Sequence, residues 1–255
     1  MAYRALALPF VTTLVGALLL IGLGKWQLDR REWKLAIVGR IETRVHAEPI
    51  TLTTAREIWQ KTQDIDYTRV LLVGRFLHEH ERHLYGIVDG LAGWKVVTPL
   101  QSAGGDIVLV DRGFVPEPLK QPAARQRGQI EGVVELTGLA RASQPRNRFT
   151  PADDPAANRW FSRDMPALIA SLPPELAGKA APFIVEAEAA PVPGDWPRAG
   201  VTMLKISNRH LEYALTWFSL AATLLIVFTV YARNKLASDA DSEVDANIAE
   251  SGPSV

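Results

Sequence analysis

The sequence predicts a membrane protein of mixed α and β structure, in which two transmembrane helices flank a β-rich domain outside the membrane. Two uncharged apolar runs, residues 5–24 and 213–232, are each 20 residues long. A helix rises about 1.5 Å per residue, so either run can cross a hydrocarbon layer of about 30 Å. Between the runs lie short stretches rich in β-branched residues and interrupted by Gly and Pro, a texture typical of closely spaced strands.

The first run has an alternative interpretation as a cleaved signal peptide, because Arg4 precedes it and small residues lie near its end. Its length exceeds the roughly 7–15 apolar residues of a signal peptide, which favours a retained anchor. The run begins too close to the first residue to leave room for a mitochondrial transit peptide, so we expect a bacterial protein. The second transmembrane helix is predicted over residues 211–232.

The distribution of charge limits the partners but leaves the orientation open. The net charge is zero, so no nucleic-acid partner is expected. The lipid bilayer is an expected partner, because of the two apolar runs. Two spans place both termini on one side of the membrane. The count of basic residues taken literally favours a cytoplasmic domain, but long domains translocate largely regardless of charge.

No motif for catalysis stands out in the sequence. The chain has no cysteine, which excludes disulfides, thiolate metal sites and cysteine nucleophiles. We find no Gly-rich phosphate loop, no G-x-S-x-G and no H-E-x-x-H. We therefore expect a protein that is not an enzyme and has no catalytic residues.

The extramembrane domain is predicted over residues 25–205, as an antiparallel sheet or a barrel-like fold. A helix over 26–43 continues the first span, and a short helix over 53–61 has Thr53 or Thr54 as its cap. A hairpin turn is expected at Gly104-Gly105, a helix over 165–172, a linker over 189–200 and a disordered acidic cytoplasmic tail over 236–255. Strands are predicted over 67–76, 82–88, 94–98, 107–111, 129–136 and 183–188.

His210 is the most informative single residue. It lies three positions before the second apolar run, and at helical spacing it shares a face with Tyr213, Ala214 and Trp217. A neutral imidazole in this position can bind a haem iron axially. The alternative is an ordinary polar residue at the membrane surface, with the neighbouring cations reaching lipid phosphates. The residues by themselves leave both interpretations open.

A second group of histidines, His78, His80 and His83, alternates with Glu79 and Glu81. In a strand the first two histidines share one face and His83 points to the other. The pattern favours a solvated hairpin end over a metal site, because no further ligand set at a known spacing accompanies it.

Acidic residues elsewhere are interpreted as structural. Asp153 and Asp154 lie among prolines, where Asp commonly fixes turns. Asp111-Arg112-Gly113 follows a predicted strand, and the sequence favours a turn at the end of that strand over a catalytic pair.

A series of segments follows in a fixed order along the chain. Residues 23–34 read LGKWQLDRREWK, 67–76 read YTRVLLVGRF, 93–100 read GWKVVTPL, and 108–116 read VLVDRGFVP. A later segment contains Asn147, Phe149, Pro151, Asn158 and Trp160, and residues 208–218 read NRHLEYALTWF. In this order, and flanked by two spans, the segments resemble the surfeit locus protein 1 family. Phe114 stands where the family often has Trp, and Arg209 stands where some members have Asn.

The resemblance implies an assembly factor for haem-copper cytochrome c oxidase in the bacterial inner (plasma) membrane, with a periplasmic domain and both termini in the cytoplasm. It also implies that haem a is received from haem a synthase and passed to the core subunit of the oxidase. The family's proposed ligand is the histidine before the second span, here His210. Arg209 and Arg30 would pair with the propionates, and Trp26 and Trp217 would line the site.

An alternative function is a haem-independent assembly chaperone, which would stabilise the core subunit through protein–protein contacts. In that case His210 would be dispensable. A sensor with a periplasmic domain is a further alternative, but the acidic tail is short and carries no output domain.

Overall fold

The chain divides into a pair of long terminal helices and a domain that begins after residue 38. The structure is a computed structural model that describes residues 2–200 and 208–250. The helices are α1 (Ala2–Val45), α2 (Leu52–Thr62), α3 (Met165–Ala170), α4 (Pro174–Ala177) and α5 (His210–Glu250). The strands are β1 (Ile50–Thr51), β2 (Thr68–Phe76), β3 (Arg82–Val88), β4 (Leu91–Ser102), β5 (Ile107–Pro116), β6 (Val134–Arg141) and β7 (Ala180–Ala187). The predicted end of the domain at residue 205 lies outside the described residues.

The first predicted span lies within α1, and the helix continues unbroken through the predicted segment 26–43. Much of its apolar surface is uncovered, with Leu8 73%, Leu18 60% and Leu19 65% exposed. Contiguous aliphatic surface of this kind is unfavourable in water. Within the described residues α1 and α5 are both long and apolar enough to cross a bilayer. The protein is therefore a membrane protein with a span near each end.

The second predicted span lies within α5, which continues beyond it to Glu250. The sequence predicts disorder over 236–255, and the helical backbone up to residue 250 differs from that expectation. Ala, Leu and Glu residues favour helix, and extending an existing helix avoids the cost of nucleating a new one. Residues 251–255 of the predicted tail lie outside the described residues.

The sheet of the domain closes on itself. Its strand order is β1-β2-β6-β7-β5-β4-β3, and β2 also pairs with β4, so β2, β6, β7, β5 and β4 form a ring. β2 pairs with β6 from Thr68 to Gly74 and with β4 from Gly74 to Phe76. The pairings β1–β2 and β5–β7 are parallel. The structure thus confirms the β-rich, barrel-like domain, with a mixed rather than purely antiparallel sheet.

β5 is buried on both faces because a core cluster lies on each side of it. Val108 and Val110 pack in one cluster with Phe183 and with Leu52 of α2. Leu109 points the other way and packs in a cluster with Trp160 and α3 residues. A strand covered on both faces needs a continuous apolar run, which residues 107–110 provide.

The predicted elements are confirmed in kind, and several of their ends differ. Strand 82–88 matches β3, whereas β6 begins at Val134 instead of residue 129. The hairpin turn at Gly104-Gly105 is confirmed, since Gly105 N donates to Ser102 O at 2.9 Å. The helix expected over 165–172 is α3. The cap of α2 is Thr51, whose side chain accepts a hydrogen bond from Thr54 N.

The turn predicted at Asp111-Arg112-Gly113 is wrong, because these residues lie inside β5. Charged residues are tolerated in a buried strand when a partner compensates them. Here Lys95 of β4 lies 2.9 Å from the Asp111 carboxylate, and β5 can therefore continue to Pro116.

The segment predicted as a linker, residues 189–200, packs on the domain instead. Arg198 and Phe114 exchange two backbone hydrogen bonds of 2.9 Å each, which attach the segment to β5. Trp196 packs against a buried cluster that contains Trp94 and Val115. Its proline-rich composition indicates an irregular backbone, but composition cannot show which surface that backbone covers.

Replacing Gly113 is expected to destabilise the domain. Gly113 has φ +117°, and a Cβ there would overlap the Arg198 carbonyl of the packed segment. We expect Gly113→Ala to lower the free energy of unfolding by at least ~2 kcal/mol. Thermal unfolding of the full-length protein in detergent measures this loss.

Gly86→Ala is the matched control, because a Cβ at Gly86 would meet no atom closer than 3.8 Å. Equal melting temperatures for the Gly113 and Gly86 variants would contradict the proposed role of Gly113.

Candidate functional site

His210 is the first residue of α5 and is half-buried. Its Nδ1 lies 2.8 Å from Oε1 of Gln27 on α1. An amide oxygen can only accept a hydrogen bond, so Nδ1 is the donor and carries the proton. In the neutral ring Nε2 then holds a lone pair, and it has no hydrogen-bond partner among the described residues. This is the form of imidazole that can coordinate a metal.

Close packing of α1 and α5 holds His210 beside Gln27. The helices are antiparallel, with Gly24 against Phe218, Gly16 against Leu224, and Phe10 against Phe228. The contact positions on each helix recur every three or four residues, and several of them are small: Ala17, Gly24, Ala214 and Ala221. Small residues let two helices approach closely in a membrane, where lipid offers no hydrophobic driving force between them.

Gly24 is the closest point of this packing. A Cβ at Gly24 would lie 2.5 to 2.9 Å from three ring atoms of Phe218. Gln27 follows less than one helical turn later on the same helix, so the approach at Gly24 sets the separation at which Gln27 meets His210.

Of the other predicted site residues, Trp217 lies on α5 and Arg209 immediately precedes it. Trp217 is half-buried and lies two helical turns after His210, on the same face. Arg209 precedes the helix, is exposed, and forms an ion pair of 2.9 Å with Glu212. Arg209 thus adjoins His210 in the sequence, and its charge is already paired with an exposed carboxylate.

The two predicted residues of α1 lie away from the Gly24 contact, Trp26 on the far side of the helix and Arg30 on its flank. Trp26 is two positions from Gly24, roughly 200° around the helix, and is 56% exposed. The guanidinium of Arg30 stacks over Trp33 at 3.9 Å from the ring centroid. Among the described residues, the side-chain contact of His210 is with Gln27 and that of Arg30 is with Trp33.

Sequence reasoning missed Gln27, and it counted Arg31 only among the cations near His210, not among the site residues. Gln27 supplies the hydrogen bond to His210, and Arg31 lies seven residues after Gly24, on the side of α1 that faces α5. Arg31 is half-buried whereas Arg30 is exposed. The seven-residue spacing of Ala17, Gly24 and Arg31, two helical turns each, could have identified this face before the structure was known.

The histidines of the domain do not converge on a metal site. No group of three His, Asp, Glu or Cys side chains that could hold a metal occurs within the described residues. His78 Nε2 donates to Ile130 O at 2.9 Å, and His80 lies 3.7 Å from Glu79.

His83 and Glu81 are not at a solvated hairpin end, as the sequence predicted, but are 4% and 5% exposed. His83 Nε2 donates to Glu81 Oε1 at 2.7 Å, and Arg125 donates to the same oxygen. Burial by itself would raise the pKa of Glu81, but these hydrogen bonds outweigh it and hold the pKa below its ordinary value of 4.5. The cluster is a buried, paired carboxylate that joins β3 to the loop containing Arg125.

A second buried network centres on Glu186 of β7. Its carboxylate accepts hydrogen bonds from Arg163 at 3.0 Å and Arg141 at 3.2 Å, and Lys95 lies 3.9 Å away. The pKa of Lys95 is raised, chiefly by Asp111 at 2.9 Å. Because each buried carboxylate here is matched by a cation, the network stabilises the closed sheet and offers no free acid or base.

Asp153 and Asp154 fix turns, as the sequence predicted. Asp153 accepts a hydrogen bond from Phe161 N at 2.6 Å. Asp154 accepts one from Ala157 N at 3.1 Å and pairs with Arg159 at 2.7 Å. Both carboxylates are used to hold the loop that leads to Trp160.

Comparison with known sequences identifies the family. The sequence model of the SURF1 family matches residues 14–222 of this chain. The chain belongs to the SURF1 family. This confirms the resemblance to the surfeit locus protein 1 family, and the match includes both the Gly24–Gln27 segment and His210.

Curated relatives match most of the chain. The human protein named Surfeit locus protein 1 is 35% identical over 231 residues, covering 83% of this chain and 74% of its own length. The mouse protein of the same name is 34% identical over 229 residues, covering 83% of this chain and 72% of its own length. A SURF1-like protein of Monosiga brevicollis is 32% identical over 246 residues, covering 91% and 87% of the two chains.

Enlarging Gly24 is expected to separate the two helices. Because the chain has no cysteine, Gly16→Cys with Leu224→Cys provides a disulfide reporter at a contact between α1 and α5. Adding Gly24→Leu would force the leucine against Phe218, and we expect the yield of this disulfide in oxidised membranes to fall.

Gly22→Leu is the matched control, because a Cβ at Gly22 would meet no atom within 4 Å. The packing described for Gly24 is wrong if both leucine variants form the disulfide as well as the parent does.

The Glu81 cluster is expected to make the stability of the domain depend on pH. A carboxyl whose pKa is lowered on folding stabilises the fold above its unfolded pKa, and this contribution is lost as the pH falls through the folded pKa. Glu81→Gln leaves Arg125 without its buried carboxylate, so we expect a loss of about 3 kcal/mol at pH 7. Urea unfolding should show that the difference in the free energy of unfolding between the variant and wild type becomes smaller below pH 4.5, the ordinary pKa of a glutamate carboxyl.

Glu79→Gln serves as the control, since the side chain of Glu79 is 67% exposed. A deficit for Glu81→Gln that stays constant from pH 7 to pH 3 would exclude the carboxylate as its cause.

Proposed function

We propose that this protein is an assembly factor for haem a-containing cytochrome c oxidase, and that it binds haem a through His210. The observation that carries the proposal is the hydrogen bond from His210 Nδ1 to Gln27, which leaves Nε2 with a lone pair. Histidines that ligate metals usually donate their other ring N–H to an oxygen, which fixes the tautomer and the orientation of the ring. The residues at this position therefore fit an axial ligand.

Haem a is the cargo in this proposal, and its iron would accept Nε2 of His210 as an axial ligand. Trp217 would line the site from the next turns of α5. Arg209 adjoins His210 and would exchange Glu212 for a propionate, since guanidinium groups pair well with carboxylates. Arg31 lies on the α5-facing side of α1, and we propose it as a propionate partner ahead of Arg30. Trp26 would act only if α1 turned about its axis.

The proposed partners follow from the same role. Haem a synthase would supply the cargo, and the core subunit of the oxidase would receive it. We propose that the membrane is the bacterial inner membrane, with the domain on the periplasmic side and both termini in the cytoplasm. A carrier must also release its cargo, and a single protein ligand backed by a neutral amide suits moderate affinity.

The test is the absorption spectrum of bound haem. The full-length protein is purified in detergent from cells that make haem a, alongside His210→Ala and Gln27→Leu. We expect His210→Ala to lose the bound-haem spectrum. Gln27→Leu keeps the ligand but removes its orienting oxygen, and we expect it to weaken haem binding by about 10- to 100-fold.

His46→Ala, which removes an exposed histidine of the domain, is the control and should bind as wild type does. Identical spectra for wild type and His210→Ala would contradict the ligand assignment. If His210→Ala also still purifies with the core subunit and supports oxidase assembly, the haem-independent chaperone is the correct function.

A further inference from the structure

Arg112 is a buried cation in the middle of β5, at 5% exposure. Its guanidinium donates to the backbone carbonyl of Gly128 and, at 3.4 Å, to Nδ1 of His78. It also stacks over the Phe76 ring, 4.6 Å from the centroid. All these partners are neutral acceptors or an aromatic face, so nothing in direct contact neutralises the charge.

No carboxylate lies within ion-pair distance of Arg112 in the part of the chain that the structure describes. The carboxylate that acts on it from further away, Glu81, is already bound by His83 and Arg125. Burial lowers the pKa of Arg112 to about 10. A buried charge without a counterion is costly. Arg125, which is as deeply buried as Arg112, has a counterion in Glu81.

An apolar groove of about 280 Å³ opens beside this guanidinium. It lies under the packed segment 189–200, which forms one wall, while β6 forms the other. Most of its lining side chains are aliphatic or aromatic, including Phe76, Ile130, Val134, Leu136, Val192 and Pro197. A largely apolar cavity with a few charged groups in its lining, here Arg112, Glu135 and Glu188, has the composition of a small-ligand site.

We propose that this groove binds an aliphatic carboxylate, with the carboxylate paired to Arg112 and the acyl chain along the apolar wall. The anion would supply the counterion that Arg112 lacks. A singly charged head fits better than a phosphate, because the groove offers one cation and is also lined by Glu135 and Glu188. Glu188 is itself paired with Arg69 at 2.8 Å, so Arg69 is not a second cation for the ligand. This site is independent of His210 and of the proposed haem function.

The experiment measures binding of octanoate to the full-length protein in lipid nanodiscs by calorimetry, with empty nanodiscs subtracted. Octan-1-ol has the same chain and no charge. We expect saturable binding of octanoate and at least tenfold weaker binding of octan-1-ol. Arg112→Met should reduce octanoate affinity at least tenfold, to the level of octan-1-ol.

Ala190→Trp tests the groove without altering a buried charge, because Ala190 is an exposed residue of its wall. We expect the indole to fill the groove and weaken octanoate binding while the melting temperature stays unchanged. Arg148→Met is the matched control for loss of an arginine, since Arg148 is exposed in a distant loop segment, and it should bind as wild type does.

The proposal is overturned if octanoate binds no more than empty nanodiscs do, or if octanoate and octan-1-ol bind equally. Wild-type octanoate affinity in Ala190→Trp would overturn it as well. Should Arg112→Met fail to fold, the comparison of octanoate with octan-1-ol and the Ala190→Trp variant decide the question.

Discussion

The double pairing of β2 is the constraint on which the domain depends. An open sheet presents unpaired backbone groups at both edges, and closure satisfies them. β2 hydrogen-bonds with β6 along one edge and with β4 at the other, and the two pairings meet at Gly74. Closure brings β5 between β4 and β7, where α2 and α3 bury its opposite faces. Every polar residue of β5 must therefore find a partner inside the protein.

The buried charges of the domain follow from that burial. Asp111 is compensated by Lys95, and Glu186 by Arg141 and Arg163. Networks of this kind contribute little net stability compared with apolar packing, but breaking one partner out of a pair is costly. Their value here is that they fix the register of β4, β5 and β7 with directional contacts.

Arg112 differs from its neighbours because its contacts are neutral. The side chains of Asp111 and Arg112 point to opposite faces of β5, because successive side chains of a strand alternate. On its face, Asp111 pairs with Lys95 of β4. At this point of β5, the charge on one face, Asp111, is therefore paired, and the charge on the other face, Arg112, has no counterion. The groove beside Arg112 forms where the packed segment 189–200 covers the closed sheet.

The helix pair obeys different physics, because lipid is as apolar as the side chains it surrounds. Small residues at Ala17, Gly24, Ala214 and Ala221 supply close packing, and the polar contact between Gln27 and His210 lies where that packing ends. A hydrogen bond between side chains on separate helices requires a fixed separation and rotation of both. Gly24 against Phe218 sets both quantities for this pair.

The sequence alone determined the two spans, the β-rich domain and the family, because these depend on composition, local periodicity and segment order. It singled out His210, whose role stays a prediction. It also placed β3 and the turn at Gly104-Gly105, where the signals are local. It could not find Gln27, nor could it show which face of α1 contacts α5 and therefore favour Arg31 over Arg30. That face depends on how two helices far apart in the sequence are rotated against each other. It misjudged Glu81, His83 and Asp111, because a charged residue is expected to be solvated unless its partner is known. The partners are Arg125 for Glu81 and Lys95 for Asp111, and they come from strands and loops that only the closed sheet brings together.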